Sequence, residues 1–291
     1  MDAAAELELR NRIMEELTTL TASQSYATRE QLSALRVGDD KRRLIDTSKG
    51  IWNPQDLQAT LSVVSSPNGP YDDRELDGAL FRYDYRAGSP QGDNAKLRRA
   101  MELDVPIILL RKIETGVYVP IFPVYVLEDD QPRRQFVLTL EKRLPTLGAV
   151  GDGQRSYAER LVRQRLHQAE FRGRIMQAYE VQCAVCNLRL GRLLEAAHIV
   201  GDREEGGDPA VSNGLSLCKI HHAAYDADLL GISPSYVVEI NHDLLDAVDG
   251  PMLRHGLQEM HRRPLTVPRR LRDRPEPSRL EQRYEAFRLA G

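Results

Sequence analysis

The sequence predicts an α+β protein in two parts: a helix-fronted module built on a curved, mostly antiparallel sheet, then a small metal-stapled domain. Two observations carry this. Between Ile51 and Leu140, segments rich in β-branched and aromatic residues are punctuated by Pro and Gly. All 3 cysteines and a cluster of the 7 histidines then crowd into residues 183–232. A chain of 291 residues has room for both parts.

Bulk composition narrows the classes. Hydrophobic content of 41% with 29% charged residues is ordinary for a soluble globular chain. A formal net charge of −3 denies global attraction to nucleic acid, so any such affinity must come from local basic patches. No apolar run is long enough to span a membrane. The acidic, amphipathic N-terminus is unlike a secretory signal. An odd cysteine count in paired spacing favours metal over disulfides and a reducing compartment, so a cytoplasmic location is expected.

In chain order, Leu7, Leu9, Ile13, Leu17 and Leu20 fall at helical intervals and predict an amphipathic helix over residues 5–21. Thr28 with Gln31 is a capping-box pair that starts a second short helix through Leu35. The two fit part of a helix-turn-helix unit, and fit better a helical brace for the next module. LSVVSS, LFRYDY, VPIILLRKI, YVPIFPVYVLE and RQFVLTLE read as strands, with one helix over Asp93–Leu103 between the second and third. The Gly- and Pro-rich stretch 144–154 marks a boundary. A helix from Tyr157 to Tyr179 carries Arg155, Arg160, Arg163, Arg165, Arg172 and Arg174 against fewer acids, which suits either an anionic partner or a solvated face. SYVVEI adds a strand after Ile232, a short helical region follows, and Ser278–Leu289 closes the chain as a helix. The expected segments are 1–45 (helical), 46–147 (β-rich), 148–180 (linker and basic helix), 181–245 (metal-stapled) and 246–291 (basic extension).

Cys183-x-x-Cys186 and Cys218-x-x-His221 have the spacing of two zinc knuckles, together completing the four-coordinate shell of a structural Zn²⁺. Asn187 follows the first pair, where such a knuckle needs a residue tolerant of left-handed backbone. Between and beside the knuckles lie polar residues that zinc does not need: His198 in EAAHI, Asn213 in SNGL, and His222 next to the presumed ligand His221.

C-x-x-C, A-H-I, N-G-L-x-L-C and H-H-x-x-[FY]-D in this order resemble an HNH nuclease of the zinc-stapled kind. The resemblance implies a ββα-metal fold, a hairpin and helix gripping one catalytic divalent metal, Mg²⁺ or Mn²⁺. It implies His198 as general base, His222 as a ligand of the catalytic metal, and Asn213 as the residue that steadies the His198 loop. Asp226, one turn after His222, would be a second ligand or a partner of that histidine. One position departs from the pattern: Ala197 stands where many HNH enzymes place Asp or His as a metal ligand. His198 itself, Asp226 and Glu195 are the candidates to supply it.

The run NGPYDD…FRYDYRAG…DN-x-x-LRRA…VPII…GVYVPIFPVYV resembles the module ahead of this HNH type in bacterial modification-dependent (type IV) restriction endonucleases. Such modules are of the SRA or PUA-like group, or sulfur-binding domains. The resemblance implies modified double-stranded DNA as partner, and a homodimer where both strands are cut. On that reading Trp52 and Tyr71, on loops, and the alternating Phe81, Tyr83 and Tyr85 are candidate base contacts. The alternation equally suits a core face of the sheet. Asp72, Asp73, Asp93 and Asn94 would read a base edge, and Arg82, Arg86, Arg98 and Arg99 would contact phosphates. Arg163 would add a contact from the basic helix, and Arg269 and Arg270 would belong to an extended arm on phosphates. Competing readings are a catalytically silent reader of modified DNA that keeps the zinc scaffold, and a mobile-element or homing nuclease.

Overall fold

The apolar stripe near the N-terminus forms α1 (Ala3–Thr21) and buries Ile13, Met14 and Leu17 against the first sheet. The computed structural model describes residues 2–66, 80–86, 92–140, 166–201, 204 and 206–290. The chain divides into two units, Met1–Thr21 with Tyr26–Glu170, and Ala22–Ser25 with Phe171–Gly291.

In the first unit, α1 also buries a charged pair, Glu6 and Arg10, both at 0% exposure. Arg10 meets Glu6 at 2.7 Å and donates to the carbonyls of Ala59 (2.9 Å), Thr60 (2.9 Å) and Pro106 (2.7 Å). Glu6 accepts from the backbone amides of Gln58 (2.7 Å) and Ala59 (3.3 Å). Two charges removed from water are thus matched by fixed backbone partners, the condition under which a buried pair is tolerated. Burial works to lower the Arg10 pKa, and the hydrogen bond and charge of Glu6 oppose it.

β1 (Ala27–Thr28) leads into α2 (Arg29–Ser33), where Thr28 and Gln31 form the expected reciprocal cap. The helix stops short of Leu35 because Leu35 begins β2 (Leu35–Val37), which turns at Gly38 (φ 63°) into β3 (Asp40–Arg42). β4 (Ile51–Trp52), β5 (Ser62–Ser65), β6 (Leu80–Asp84), α3 (Asp93–Glu102), β7 (Ile107–Glu114), β8 (Val117–Asp130) and β9 (Gln135–Thr139) follow. The sheet order is β4-β5-β7-β8-β9-β6, with β1 also on β8. Pairing is antiparallel except between β5 and β7. β8 pairs with β7 through its first half and with β9 through its second, and register shifts on both sides let one strand serve two neighbours by bending.

Phe81, Tyr83 and Tyr85 share one face, and that face is the core, packed with Leu97, Phe136 and Leu138. This corrects the expectation that Tyr83 contacts DNA: it is fully buried, with its hydroxyl donating to the Gly50 carbonyl at 2.8 Å. Arg86 is likewise interior, its guanidinium 3.8 Å above the Tyr83 ring and bonded to the Val64 carbonyl. Asn94 is buried against the Arg86 backbone, and Arg98 is tied to Asp129 at 2.5 Å.

Helix α4 covers residues 166–178, and the second unit begins within it at Phe171 and holds the hairpin of β10 (Leu194–His198) and β11 (Gly214–Cys218). After it come α5 (Lys219–Asp226), the pair β12 (Leu230–Ile232) and β13 (Val238–Ile240), then α6 (His242–Asp246), α7 (Pro251–Gly256) and α8 (Pro277–Ala290). The arginine-rich stretch from Arg262 is docked, where the sequence suggested a free arm. Its backbone pairs with Tyr236 and Val238, Thr266 N donates to the Ala184 carbonyl at 2.8 Å, and Glu276 N to that of Ser212 at 2.9 Å. α8 then lays Phe287 on Gly231, where a Cβ would fall 2.4 Å from the ring.

The Glu6–Arg10 pair gives a direct stability test. Arg10→Ala strands a buried carboxylate and is expected to cost about 3–5 kcal/mol in urea unfolding followed on the full chain. Replacing both residues with apolar ones of similar size should recover most of that loss. A single variant as stable as the parent would contradict the pinning role of the pair.

Candidate functional site

The first knuckle is a tight turn between Val181 and Leu188. Cys183 N donates to the Leu188 carbonyl (3.0 Å) and Asn187 N to that of Cys183 (3.0 Å), with Asn187 at φ 62° in the left-handed region anticipated from the sequence. The second knuckle spans the end of β11 and the first turn of α5. Cys183, Cys186, Cys218 and His221 bring their ligand atoms within 4.8 Å of one another. His221 Nδ1 lies 3.2 Å from Cys218 Sγ and 3.5 Å from Cys183 Sγ. Its Nε2 sits 2.7 Å from the Gly256 carbonyl, so a proton there donates to that oxygen and leaves the Nδ1 lone pair facing the sulfurs. Three soft thiols and one oriented imidazole in a buried cluster fit a structural Zn²⁺.

The group is electrostatically primed. Burial alone would push His221 down, but its bonds to Cys183 and Cys218 outweigh that and hold its pKa at about 10. Hydrogen bonds from Cys183 and Cys186 hold the Cys218 thiol far below its usual range, and the bonds of Cys186 to its neighbours, with burial, drive it up.

Next to this group, on the following residue of α5, stands His222. Its Nδ1 is 2.7 Å from Glu195 Oε2 on β10, and its Nε2 is 3.4 Å from Asp226 Oδ2 one turn later. His222 is partly exposed and the two carboxylates more so; because they sit on opposite ring nitrogens, Glu195 orients the imidazole while Nε2 and Asp226 form the open donor pair.

Strand alternation directs Glu195 toward α5 and His198 toward α4, where its ring stacks on Phe171 with centroids 3.9 Å apart and planes at 8°. His198 Nε2 is enclosed in this arrangement. Gly214, opposite His198 in the hairpin, makes room for α4: a Cβ would fall 2.4 Å from Ile175 and 2.6 Å from Phe171. Asn213 is fully buried. Its Oδ1 accepts from Val200 N at 2.9 Å, and its Nδ2 donates to the carbonyls of Val200 (3.0 Å) and Asp208 (2.9 Å), closing the loop that follows His198. Ala197 is buried.

α8 reaches this helix from the far end of the chain. Arg283 donates to the Tyr225 carbonyl at 2.6 Å, pairs with Asp228, and lies 4.9 Å over the Tyr225 ring. α5 has no basic residue in its own last turn, so Arg283 supplies the cation that its C-terminus favours. Neither Arg283 nor the Gly256 carbonyl stood out in the sequence, since each acts across tens of residues.

Of the other sequence candidates, Trp52 is half-buried on β4, and Arg82 bonds Gln135 at 3.3 Å. Arg269 is exposed with Nε 3.0 Å from Glu180, and Arg270 is exposed. Tyr71, Asp72, Asp73 and Arg163 lie outside the described residues, as does the expected boundary at 144–154.

Because metal must displace protons from His221 and Cys186, zinc affinity should climb with pH toward about 10 and fall steadily on acidification. Competition with a chelator across pH measures it, and a flat profile would contradict the protonated metal-free group. Cys218→Ala should lose the zinc and unfold the second unit, since such sites supply folding free energy directly. Tyr225→Phe removes a buried hydroxyl that has no hydrogen-bond partner among the described residues, so melting temperature should hold or rise, by up to about 1 kcal/mol of stability. A clear loss would reveal a partner for that oxygen.

Comparison with known proteins gives the following. Residues 183–233 match the family model described as HNH endonuclease. The chain is similar to the modification-dependent TagI restriction endonuclease at 18% identity, covering 89% of this chain and 90% of that one, with a TM-score of 0.31. It is similar to the SUVH5 SRA domain solved with hemimethylated CG DNA at 20% identity over 42% of this chain and 88% of that one, TM-score 0.30. The type IV phosphorothioation-dependent restriction endonuclease ScoMcrA matches at 14% identity over 62% of this chain and 48% of that one, TM-score 0.24. No curated protein sequence matches. The hairpin, the short helix, the cysteine–histidine group and the family match together make residues 183–233 an HNH endonuclease domain.

Proposed function

We propose that the protein is a metal-dependent DNA endonuclease of restriction type, directed to modified DNA by its N-terminal unit. The observation that carries the nuclease reading is the meeting of Glu195, His222 and Asp226 beside the zinc-type group, inside the segment that matches the HNH family. Glu195, two residues before Ala197 on β10, reaches His222 through its Nδ1 and holds the ring in place.

On this reading Asp226 and the Nε2 of His222 would hold a divalent cation, Mg²⁺ or Mn²⁺, with Glu195 on Nδ1 orienting the ring; the cation would supply positive charge to the scissile phosphate and its leaving 3′ oxygen. His198 accepts the proton of the attacking water. Phe171 fixes the plane of its ring. Asn213 keeps the loop after His198 closed, so the imidazole does not drift with it. The products carry 5′-phosphate and 3′-hydroxyl ends, and a duplex break needs two such sites, which a two-fold homodimer provides. The modification reading rests on the N-terminal motif run. Ala197 is the observation that favours a second reading, a silent DNA reader with the zinc fold kept as scaffold.

Supercoiled plasmids identical except for methylcytosine, hydroxymethylcytosine or phosphorothioate, incubated with Mg²⁺ or Mn²⁺, separate these readings. Cutting of one modified form is expected, falling by about 10²–10⁴-fold in His198→Ala while DNA binding persists. Glu195→Gln should demand more metal for the same rate. Binding without nicking under any metal would favour the silent reader, and equal cutting of every plasmid would remove the modification reading.

A further inference from the structure

Four residues of the link from α1 to β1, Ala22–Ser25, belong to the second unit, although the elements on either side belong to the first. They press on the entry to the β10–β11 hairpin. A Cβ on Gly191 would fall 1.7 Å from the Ser23 carbonyl oxygen, so only glycine admits this approach of backbone to backbone. Gly191 opens the short 3₁₀ turn Gly191–Leu193, which runs directly into β10. The link ends on Ser25 at φ 62°, left-handed backbone that glycine adopts freely and serine does not.

What that serine holds is Arg172, on α4. Arg172 Nε donates to Ser25 Oγ at 2.8 Å, and its Nη2 to the Gly191 carbonyl at 3.5 Å. The same carbonyl accepts from the backbone amide of Leu194, the first residue of β10. The guanidinium is thus half-buried and fixed from two sides at the start of the strand whose next residue is Glu195. Burial lowers the Arg172 pKa and the charge of Glu195 opposes it, so each charge is felt by the other. Glu195 in turn meets His222 Nδ1 at 2.7 Å, with its own side chain 40% exposed. A fixed cation nearby restrains a carboxylate that water would otherwise leave free to turn.

We propose that Arg172 is a positioning residue of the nuclease centre: tied to Ser25 and Gly191, it sets where Glu195 stands and so how His222 presents Nε2 beside Asp226. It acts through Glu195 and touches neither DNA nor metal. The role rests on the reading of the protein as an endonuclease, and it draws the α1–β1 link into the support of that centre. Glycine at position 25 would ease the backbone but leave Arg172 Nε without its acceptor, so the left-handed serine separates stability from positioning.

The test uses the zinc-loaded full chain, with Mn²⁺ affinity read by electron paramagnetic resonance, plasmid nicking, duplex binding across salt concentrations and urea unfolding. Arg172→Ala should weaken Mn²⁺ binding about threefold to tenfold and slow nicking to match, with duplex affinity and salt slope unchanged. Combined with Glu195→Gln it should do no further harm, because both changes cut the same connection. Ser25→Gly should unfold no earlier than the parent yet lose Mn²⁺ affinity in the same direction as Arg172→Ala. A Ser25→Gly protein that binds Mn²⁺ as tightly as the parent overturns the proposal. So do losses that multiply in the double variant, and so does a reduced salt slope in Arg172→Ala, which would mark a phosphate contact. Parent protein that binds Mn²⁺ but nicks no plasmid removes the endonuclease reading, and the Mn²⁺ affinities of the variants still decide the role of Arg172. Full nicking by Arg172→Ala removes that role alone.

Discussion

Helix α5 is only 8 residues long, too short to persist in water on its own, yet it carries on consecutive residues one histidine of the cysteine group and another held between two carboxylates. Neighbours on a helix point about 100° apart, so one placement of α5 must satisfy both. His221 turns inward to the three cysteines and His222 turns to the flank, where Glu195 waits on β10. The four-ligand group clamps the first turn to the knuckle and hairpin, while Arg283 holds the last turn through the Tyr225 carbonyl. The Gly256 carbonyl adds a third anchor by fixing which nitrogen of His221 faces the sulfurs. The helix is thus held from outside at both ends, and the placing of His222 between Glu195 and Asp226 follows from that of the cysteine group.

The same logic explains why the C-terminal stretch is docked. Its arginines have local work: Arg279 pairs with Asp208 in the loop closed by Asn213, and Arg283 with Asp228 behind α5. An arginine run among prolines resembles a phosphate-binding arm when only composition is visible. Once acids from distant positions fold beside it, part of that charge is already neutralised. In the first unit a comparable tie joins α1 to the sheet, through charges whose backbone partners lie about fifty and a hundred residues away.

The metal-ligand spacing, the left-handed Asn187, the capping box at Thr28 and the strand segments β5 to β9 were legible because each is written in local sequence. The burial of Glu6 and Arg10 was not, since an i,i+4 ion pair on a helix usually marks a solvated face. The tyrosine stripe on β6 was legible as a one-faced pattern, but alternation alone does not say whether that face meets the core or a ligand. Glu195 was visible only as one of several acids able to replace a ligand missing at Ala197. The hairpin register that brings it to His222 depends on Leu194 lying opposite Cys218, a pairing across a long loop.

One metal group builds the helix, and on the proposed reading Asp226 and the Nε2 of His222 beside it bind a second, harder ion. Anomalous scattering from crystals of the zinc-loaded protein soaked in Mn²⁺, recorded at both metal edges, tests this most directly. The expected maps show zinc among Cys183, Cys186, Cys218 and His221, and manganese at Asp226 and the Nε2 of His222. Manganese bound elsewhere, or zinc absent from the cysteine group in a folded protein, would contradict it.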